Sequence, residues 1–193
     1  MKAIAICGSP RIGGTTEILL RRCLGRLESD GLETQFSPLS GKTIKPCTAC
    51  GWCREARDGT CVIKDDDLHA VFDCMKTADV IVVGSPVYFG SATPEMMALL
   101  DRTGYVARHN DDIFSRKIGG PIVVARRAGH NITYAQLLYW FMIKGMVVPG
   151  SIYWNIAFGR APGEVQNDEE GLATVDRFAE NLAWLAGRLV DDH

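Results

Sequence analysis

Gly8-Ser-Pro-Arg-Ile-Gly-Gly-Thr-Thr16 constrains this 193-residue chain more than any other stretch. It follows the apolar run Ala3-Ile-Ala-Ile-Cys7 and precedes a segment of helical periodicity that begins near Thr15. A strand that turns on glycines into a helix start leaves unpaired backbone N–H groups there, at the positive end of the helix dipole. The glycines let the backbone approach an anion, Ser9, Thr15 and Thr16 add hydroxyls, and Arg11 adds a two-pronged cation. The stretch almost matches the nucleotide-triphosphate loop, but Gly14 stands where that loop carries its lysine. It also departs from the G-x-G-x-x-G dinucleotide fingerprint. A single phosphate held without metal fits Ser9, Arg11, Gly14, Thr15 and Thr16 best.

The rest of the chain repeats the strand-then-helix rhythm. Strands are expected at 2–7, 32–36, 78–84, 118–125 and 147–155. Helices are expected at 15–28, from Asp65 through Met75, from Thr93 to about Arg102, at 132–145 and at 169–189. Pro94 suits a first helical turn. Residues 104–117 read as a polar, mobile excursion. Continuous apolar strands separated by helices predict an α/β fold, a doubly wound parallel sheet of five strands in the order 2-1-3-4-5 with helices on both faces. The six-stranded Rossmann order is the alternative.

Length fits one domain spanning residues 1–193, with a cysteine-rich loop at about 38–64. Apolar residues make up 47% and charged residues 23%, and the net charge is −2. Those values exclude a disordered chain and give no basic field for nucleic acid. No stretch reaches membrane-spanning length, and no secretory leader precedes Gly8, so a cytoplasmic location with reduced cysteines is expected.

In a sheet of order 2-1-3-4-5, ligands sit beyond the carboxyl ends of strands 1 and 3, where the order reverses. Strand 1 ends at the anion turn. Strand 3 ends at Ser85-Pro-Val-Tyr-Phe-Gly-Ser91, a stiff turn with two aromatics, and strand 4 ends at Arg126-Arg-Ala-Gly-His130. A phosphate grip beside a wall for a flat ring points to flavin mononucleotide (FMN). Ser85, Pro86, Val87, Tyr88, Phe89, Gly90, Ser91 and Arg126 are the candidates for the ring, and His130 lies nearby.

Three passages, Gly8 to Thr16, Ser85-Pro-Val-Tyr-Phe-Gly90 and Leu99-Leu-Asp-Arg-Thr103, resemble the NADPH-dependent FMN reductase and iron–sulfur flavoprotein family of the flavodoxin-like superfamily. The resemblance covers essentially the whole chain. It implies an FMN-dependent oxidoreductase and assigns the phosphate to Ser9, Arg11, Thr15 and Thr16. It also implies homodimers or homotetramers whose subunits share the flavin pocket.

Cys47-x2-Cys50-x2-Cys53-x7-Cys61 is the second constellation. Three thiols on a compact turn and a fourth from the next loop suit a [4Fe–4S] cubane, as in the iron–sulfur flavoproteins, whereas structural zinc usually pairs two separate knuckles. Cluster and flavin are expected on one edge of the sheet. Electrons would pass between a carrier, ferredoxin or NAD(P)H, and an acceptor. Two other readings stand beside this one: an NAD(P)H-dependent FMN or quinone reductase with a structural cysteine loop, and a zinc-bearing binding module without turnover. Cys7, Cys23 and Cys74 read as packing residues, and no protein general base is nominated.

Overall fold

The computed structural model describes residues 1–190 and builds them on five parallel strands. In chain order these are β1 (Lys2–Cys7), α1 (Thr15–Ser29), β2 (Glu33–Pro38), α2 (Trp52–Ala56), α3 (Leu68–Thr77), β3 (Val80–Pro86) and α4 (Pro94–Arg108). They continue through β4 (Ile118–Ala125), α5 (His130–Ile143), β5 (Ile156–Phe158), a 3-10 turn (Glu164–Asn167) and α6 (Glu169–Val190). The strand order is β2-β1-β3-β4-β5, as expected, and every ladder is parallel. The expected domain runs to residue 193, and residues 191–193 lie outside the described residues.

The central strands are apolar throughout because both sheet faces are covered. β4 is buried along its entire length, and β3 along all but its last residue. α1 and α6 close one face through Leu19, Leu20, Leu27, Val175, Phe178 and Leu182. α3, α4 and α5 close the other through Phe72, Met75, Leu99, Leu137 and Phe141. Arg22 and Arg26 of α1 reach Asp176 and Glu180 of α6 across the first seam.

β4 holds glycines and a proline that would weaken an ordinary strand. A Cβ on Gly119 would stand 1.9 Å from the Ile81 carbonyl oxygen, and one on Gly120 would meet the Phe178 ring at 2.9 Å. Pro121 costs little where it sits. Gly119 N–H donates to the Val147 oxygen at 3.0 Å and Val123 N–H to the Asn155 oxygen at 2.9 Å. The missing proline N–H falls between them, where residues 148–154 loop away from the sheet.

Two expected elements differ. The fifth strand is not 147–155: Val147 makes one isolated bridge to Ile118, Pro149-Gly150 breaks the run, and pairing resumes only at Ile156. The stretch expected to be an excursion from 104 is largely helix, since α4 continues to Arg108 with Val106 and Ala107 buried. The turn after it needs positive φ at Asp111, Asp112 and Arg116, and buries Phe114. The first difference comes from Pro149-Gly150 interrupting an apolar run, and the second from a polar stretch whose helix still has one face covered.

Candidate functional site

β1 delivers the chain to the anion turn, and the turn is held by its own side chains. Arg11 N–H donates to Ser9 Oγ at 3.2 Å, and Gly13 N–H to Glu17 Oε2 at 2.8 Å. Gly13 has φ +67°, a conformation that favours glycine, and a Cβ on Gly14 would press on the Arg11 carbonyl oxygen at 3.1 Å. Gly14 is the cap residue of α1, and no side chain caps that helix start. Thr16 is 1% exposed, and its Oγ1 has no hydrogen-bond partner. An uncapped helix start flanked by Ser9, Arg11 and Thr15 is what a bound anion would satisfy. Burial works against the Glu17 charge, but Gly13 N–H and Arg21 outweigh it and hold the carboxyl below its ordinary value.

The turn after β3 forms the facing wall. Val87 N–H donates to the Val124 oxygen at 2.9 Å, which lays the turn against β4. Tyr88 and Ser91 pair through both backbone groups, at 2.8 and 3.0 Å, and close a tight turn over Phe89 (φ +52°) and Gly90 (φ +85°). Two successive positive φ values mark a hairpin turn of the I′ kind, which ordinarily favours asparagine or glycine first. Phe89 occupies that position fully exposed to solvent. α4 is anchored to the same edge: Thr93 Oγ1–H donates to the Gly8 oxygen at 2.9 Å, and Thr93 N–H donates to Ser85 Oγ at 3.0 Å.

A cleft of about 280 Å³ lies between these walls. Of the expected residues, Ser9, Arg11, Gly14, Thr15, Pro86, Val87, Tyr88 and Arg126 line it. The other five lie behind or beside it. Thr16 is buried in the first turn of α1, Ser85 is buried as a bracket between Pro86 and Thr93, and Ser91 bonds Gln136. Phe89 and Gly90 border a neighbouring open depression with Arg126 and Arg127. Gly159, Arg160 and Pro162 also line the cleft and were missed. Arg11 Nη1–H donates to the Arg160 oxygen at 3.2 Å, which closes the cleft from the β5 side. The Gly/Pro-bearing link at 159–163 was the available signal. His130 does not reach the cleft: its Nε2–H donates to the Ala157 oxygen at 3.1 Å and its ring packs on Phe158.

The cysteine excursion leaves the same rim but does not stay there. Ser40 Oγ–H donates to the Pro10 oxygen at 3.0 Å, beside the anion turn. The chain then descends along α4. Arg102 lies eight residues below Pro94, about 12 Å down the helix axis. Asn110, beyond the far end of α4, accepts from Gly59 N–H and donates to the Cys53 oxygen. The expectation that cysteines and flavin cleft share one edge is therefore corrected: the two cavities have no lining residue in common. The loop is anchored at its ends by α4, a helix longer than its sequence polarity suggested.

Cys47, Cys50, Cys53 and Cys61 are free thiols around one cavity of about 160 Å³, with Trp52, Arg102 and Tyr105 among its other walls. The excursion is tightly wound, with positive φ at Ala49, Gly51, Arg57 and Gly59. Burial pushes the Cys53 thiol up, and nearby Cys47 and Cys50 push in the same direction. Among the described residues no three His, Cys, Asp or Glu side chains are gathered closely enough for one metal ion. Cys7 and Cys23 are packing residues, as expected, with burial pushing their thiols up to about 11 and about 12.

The chain matches the family described as NADPH-dependent FMN reductase over residues 1–161. It is 36% identical to an iron–sulfur flavoprotein of Methanocaldococcus jannaschii, covering 95% of this chain and 96% of that one. An iron–sulfur flavoprotein of Archaeoglobus fulgidus is also 36% identical, over 95% of this chain and 98% of its own length. Among solved structures, a flavodoxin, WrbA-like protein from Agrobacterium tumefaciens superimposes with a TM-score of 0.65 at 14% identity, over 97% of this chain and 98% of the other.

Proposed function

This chain belongs to the NADPH-dependent FMN reductase family and is a flavin-dependent oxidoreductase, and from that premise we propose that it works as an iron–sulfur flavoprotein. In this reading FMN fills the cleft at the ends of β1, β3 and β4, and a [4Fe–4S] cluster is held by Cys47, Cys50, Cys53 and Cys61. Bound FMN and cluster supply two-electron and one-electron redox chemistry, which the protein's side chains cannot supply themselves.

The observation that carries the flavin assignment is the uncapped start of α1, which opens on a cleft lined by Ser9, Arg11, Gly14 and Thr15. Those four residues would bind the phosphate. Pro86, Val87 and Tyr88 offer a wall for the ring system, and Arg126 lines the same cleft. Phe89, Gly90 and Ser91 shape that wall and its rim, while Ser85 holds it in place.

The donor chemistry of the second cavity favours a cluster over zinc. Tetrahedral zinc, with Zn–S bonds of about 2.3 Å, needs its four sulfurs within about 4 Å of one another. A cubane takes one thiolate per iron and leaves the sulfurs farther apart. Four thiols ringing one cavity, three of them in an overlapping Cys-x2-Cys-x2-Cys run and not two separate knuckles, suit the second arrangement. The carrier side of the reaction is assigned by class: an electron carrier such as ferredoxin, or NAD(P)H, in the reducing cytoplasm. No described helix is long and apolar enough to cross a membrane.

A homo-oligomer belongs to this proposal. α5 is apolar nearly all round and leaves Ile132, Tyr139, Met142 and Ile143 more than 60% exposed. A helix of that composition is suited to burial against a second copy of the chain. Such a partner would also offer a route between two cavities that stand apart within one subunit.

Anaerobic purification with flavin, iron, sulfide and zinc analysis tests the whole reading. FMN with about four irons per chain supports it. FMN without iron after reconstitution replaces it with the plain reductase, and zinc replaces it with the binding module. Cys50→Ala is expected to lose iron and keep FMN, and full iron retention would remove Cys50 from the ligand set.

A further inference from the structure

Arg102 of α4 is the largest fully buried side chain among the described residues, at 1% exposure. Its partner Asp66 is buried as well, with none of its side chain exposed. The guanidinium is spread across both ends of the cysteine excursion. Nη1 donates to the Lys45 carbonyl oxygen at 3.1 Å and to Asp66 Oδ2. Nη2 donates to the Ile63 carbonyl oxygen at 3.1 Å and to Cys61 Sγ at 3.3 Å. Asp66 accepts in turn from Lys45 N–H at 2.9 Å and from Leu68 N–H at 3.3 Å. Residues 46–60, which carry Cys47, Cys50 and Cys53, are strung between the two gripped ends.

A buried ion pair is a poor way to gain stability, because desolvation consumes most of the attraction and apolar residues of similar volume do as well. What apolar residues cannot do is donate an N–H to a sulfur, and only a planar fork reaches two chain segments and a thiol at once. We infer that Arg102 is a positioning residue of the cysteine cavity: it clasps the entry and exit of the excursion and presents an N–H to the Cys61 sulfur, raising the reduction potential of the cluster. This rests on the cluster reading above. Hydrogen bonds to ligand sulfurs stabilise the more negative, reduced state and are among the factors that set the potentials of such centres. Asp66 pairs with Nη1 through Oδ2, and its Oδ1 lies 3.5 Å from Nη2, so the pair adds little net charge while Nη2 still presents an N–H to the sulfur. His69 reinforces the same end, its Nε2 within 3.0 Å of the Cys61 carbonyl oxygen.

Two variants separate the parts of this inference. Arg102→Lys keeps the charge but removes the fork. The double variant Arg102→Gln/Asp66→Asn removes both charges together and leaves no unpaired buried ion. In the metal-free protein, Cys53 is a half-buried thiol of the excursion that Arg102 does not bond. Its iodoacetamide labelling relative to Cys74, read by mass spectrometry, is expected to rise several-fold in both variants with FMN affinity unchanged. In anaerobically reconstituted protein, the midpoint potential of the iron centre is expected to fall in both while that of the flavin stays put. If the double variant does not fold, Arg102→Lys decides alone. An unchanged labelling ratio overturns the clasp. Faster labelling with an unmoved potential makes Arg102 a structural tie and overturns the inference. A wild-type protein that takes up no iron defeats the cluster reading and the potential with it, while the labelling arm still decides the clasp.

Discussion

Arg11 shows how one side chain serves both walls of the cleft at the ends of β1, β3 and β4. It leaves the anion turn and bonds the Arg160 carbonyl oxygen, so it links the first loop to the last. Arg11→Ala is expected to weaken FMN binding by about 1.5–3 kcal/mol, the range for a hydrogen bond to a charged group. Fluorescence titration of the apoprotein with FMN measures it, and unchanged affinity removes Arg11 from the phosphate. Phe89 poses the opposite case, a large apolar ring on a left-handed turn residue with no packing to justify it. Such strain costs about 1–2 kcal/mol, and glycine's extra freedom in the unfolded chain offsets roughly half of that. Phe89→Gly is thus expected to shift unfolding free energy by less than about 1 kcal/mol, while KM for the electron acceptor rises. An unchanged KM would leave the ring without a role at the mouth.

At the scale of elements, the packing of β4 is the least forgiving part of the fold. Gly119→Ala sets a methyl against the backbone of β3, which has no rotamer to yield, and is expected to cost about 3 kcal/mol or more. Urea unfolding would register it, and a loss below 1 kcal/mol would mean that the strands separate more easily than their ladder suggests. The glycines were visible in the sequence, but their necessity was not, because it comes from Ile81 and Phe178 on other elements. Acid sensitivity also belongs to elements. Burial holds the His130 pKa, at the start of α5, below its usual 6.5, although the Ala157 and Ala125 carbonyls pull it back up. The unfolded chain takes up that proton first, so stability falls as pH drops from about 6.5 towards the lower folded value. For Asp66 burial is again the largest influence and disfavours the charge. The Arg102 fork and two backbone N–H groups outweigh it and keep the carboxyl below its ordinary range. Its contribution is fully present above the unfolded value of about 4 and is lost as pH falls through the lower folded one. Thermal unfolding between pH 7 and 3 should therefore show two successive losses. His130→Asn should flatten the first and leave the second.

Across the whole molecule, the two cavities stand apart, one at the carboxyl ends of the strands and the other along the lower flank of α4. The exposed apolar side of α5 supplies a surface on which a second copy can sit. Replacing Tyr139 and Ile143 with lysine is expected to shift the protein towards monomer in analytical ultracentrifugation without unfolding it, since both side chains are largely exposed in the subunit. A wild-type protein that is already monomeric at micromolar concentration would remove the partner from the proposal.

The strand order followed from the general rule of right-handed crossovers in alternating strand–helix chains. The strands, the glycine turn and the pattern of four cysteines were legible in the sequence because each rests on local chemistry: apolar runs, glycines and thiol spacing. Eight of the thirteen flavin candidates reach the cleft wall for the same reason, since they belong to two contiguous turns and one strand end. The tertiary structure alone decided where the cysteines go, which face of α4 they lie against, and that Arg102 holds them there. Those outcomes depend on contacts between segments far apart in the chain, and the energy of such a contact is written in neither segment by itself.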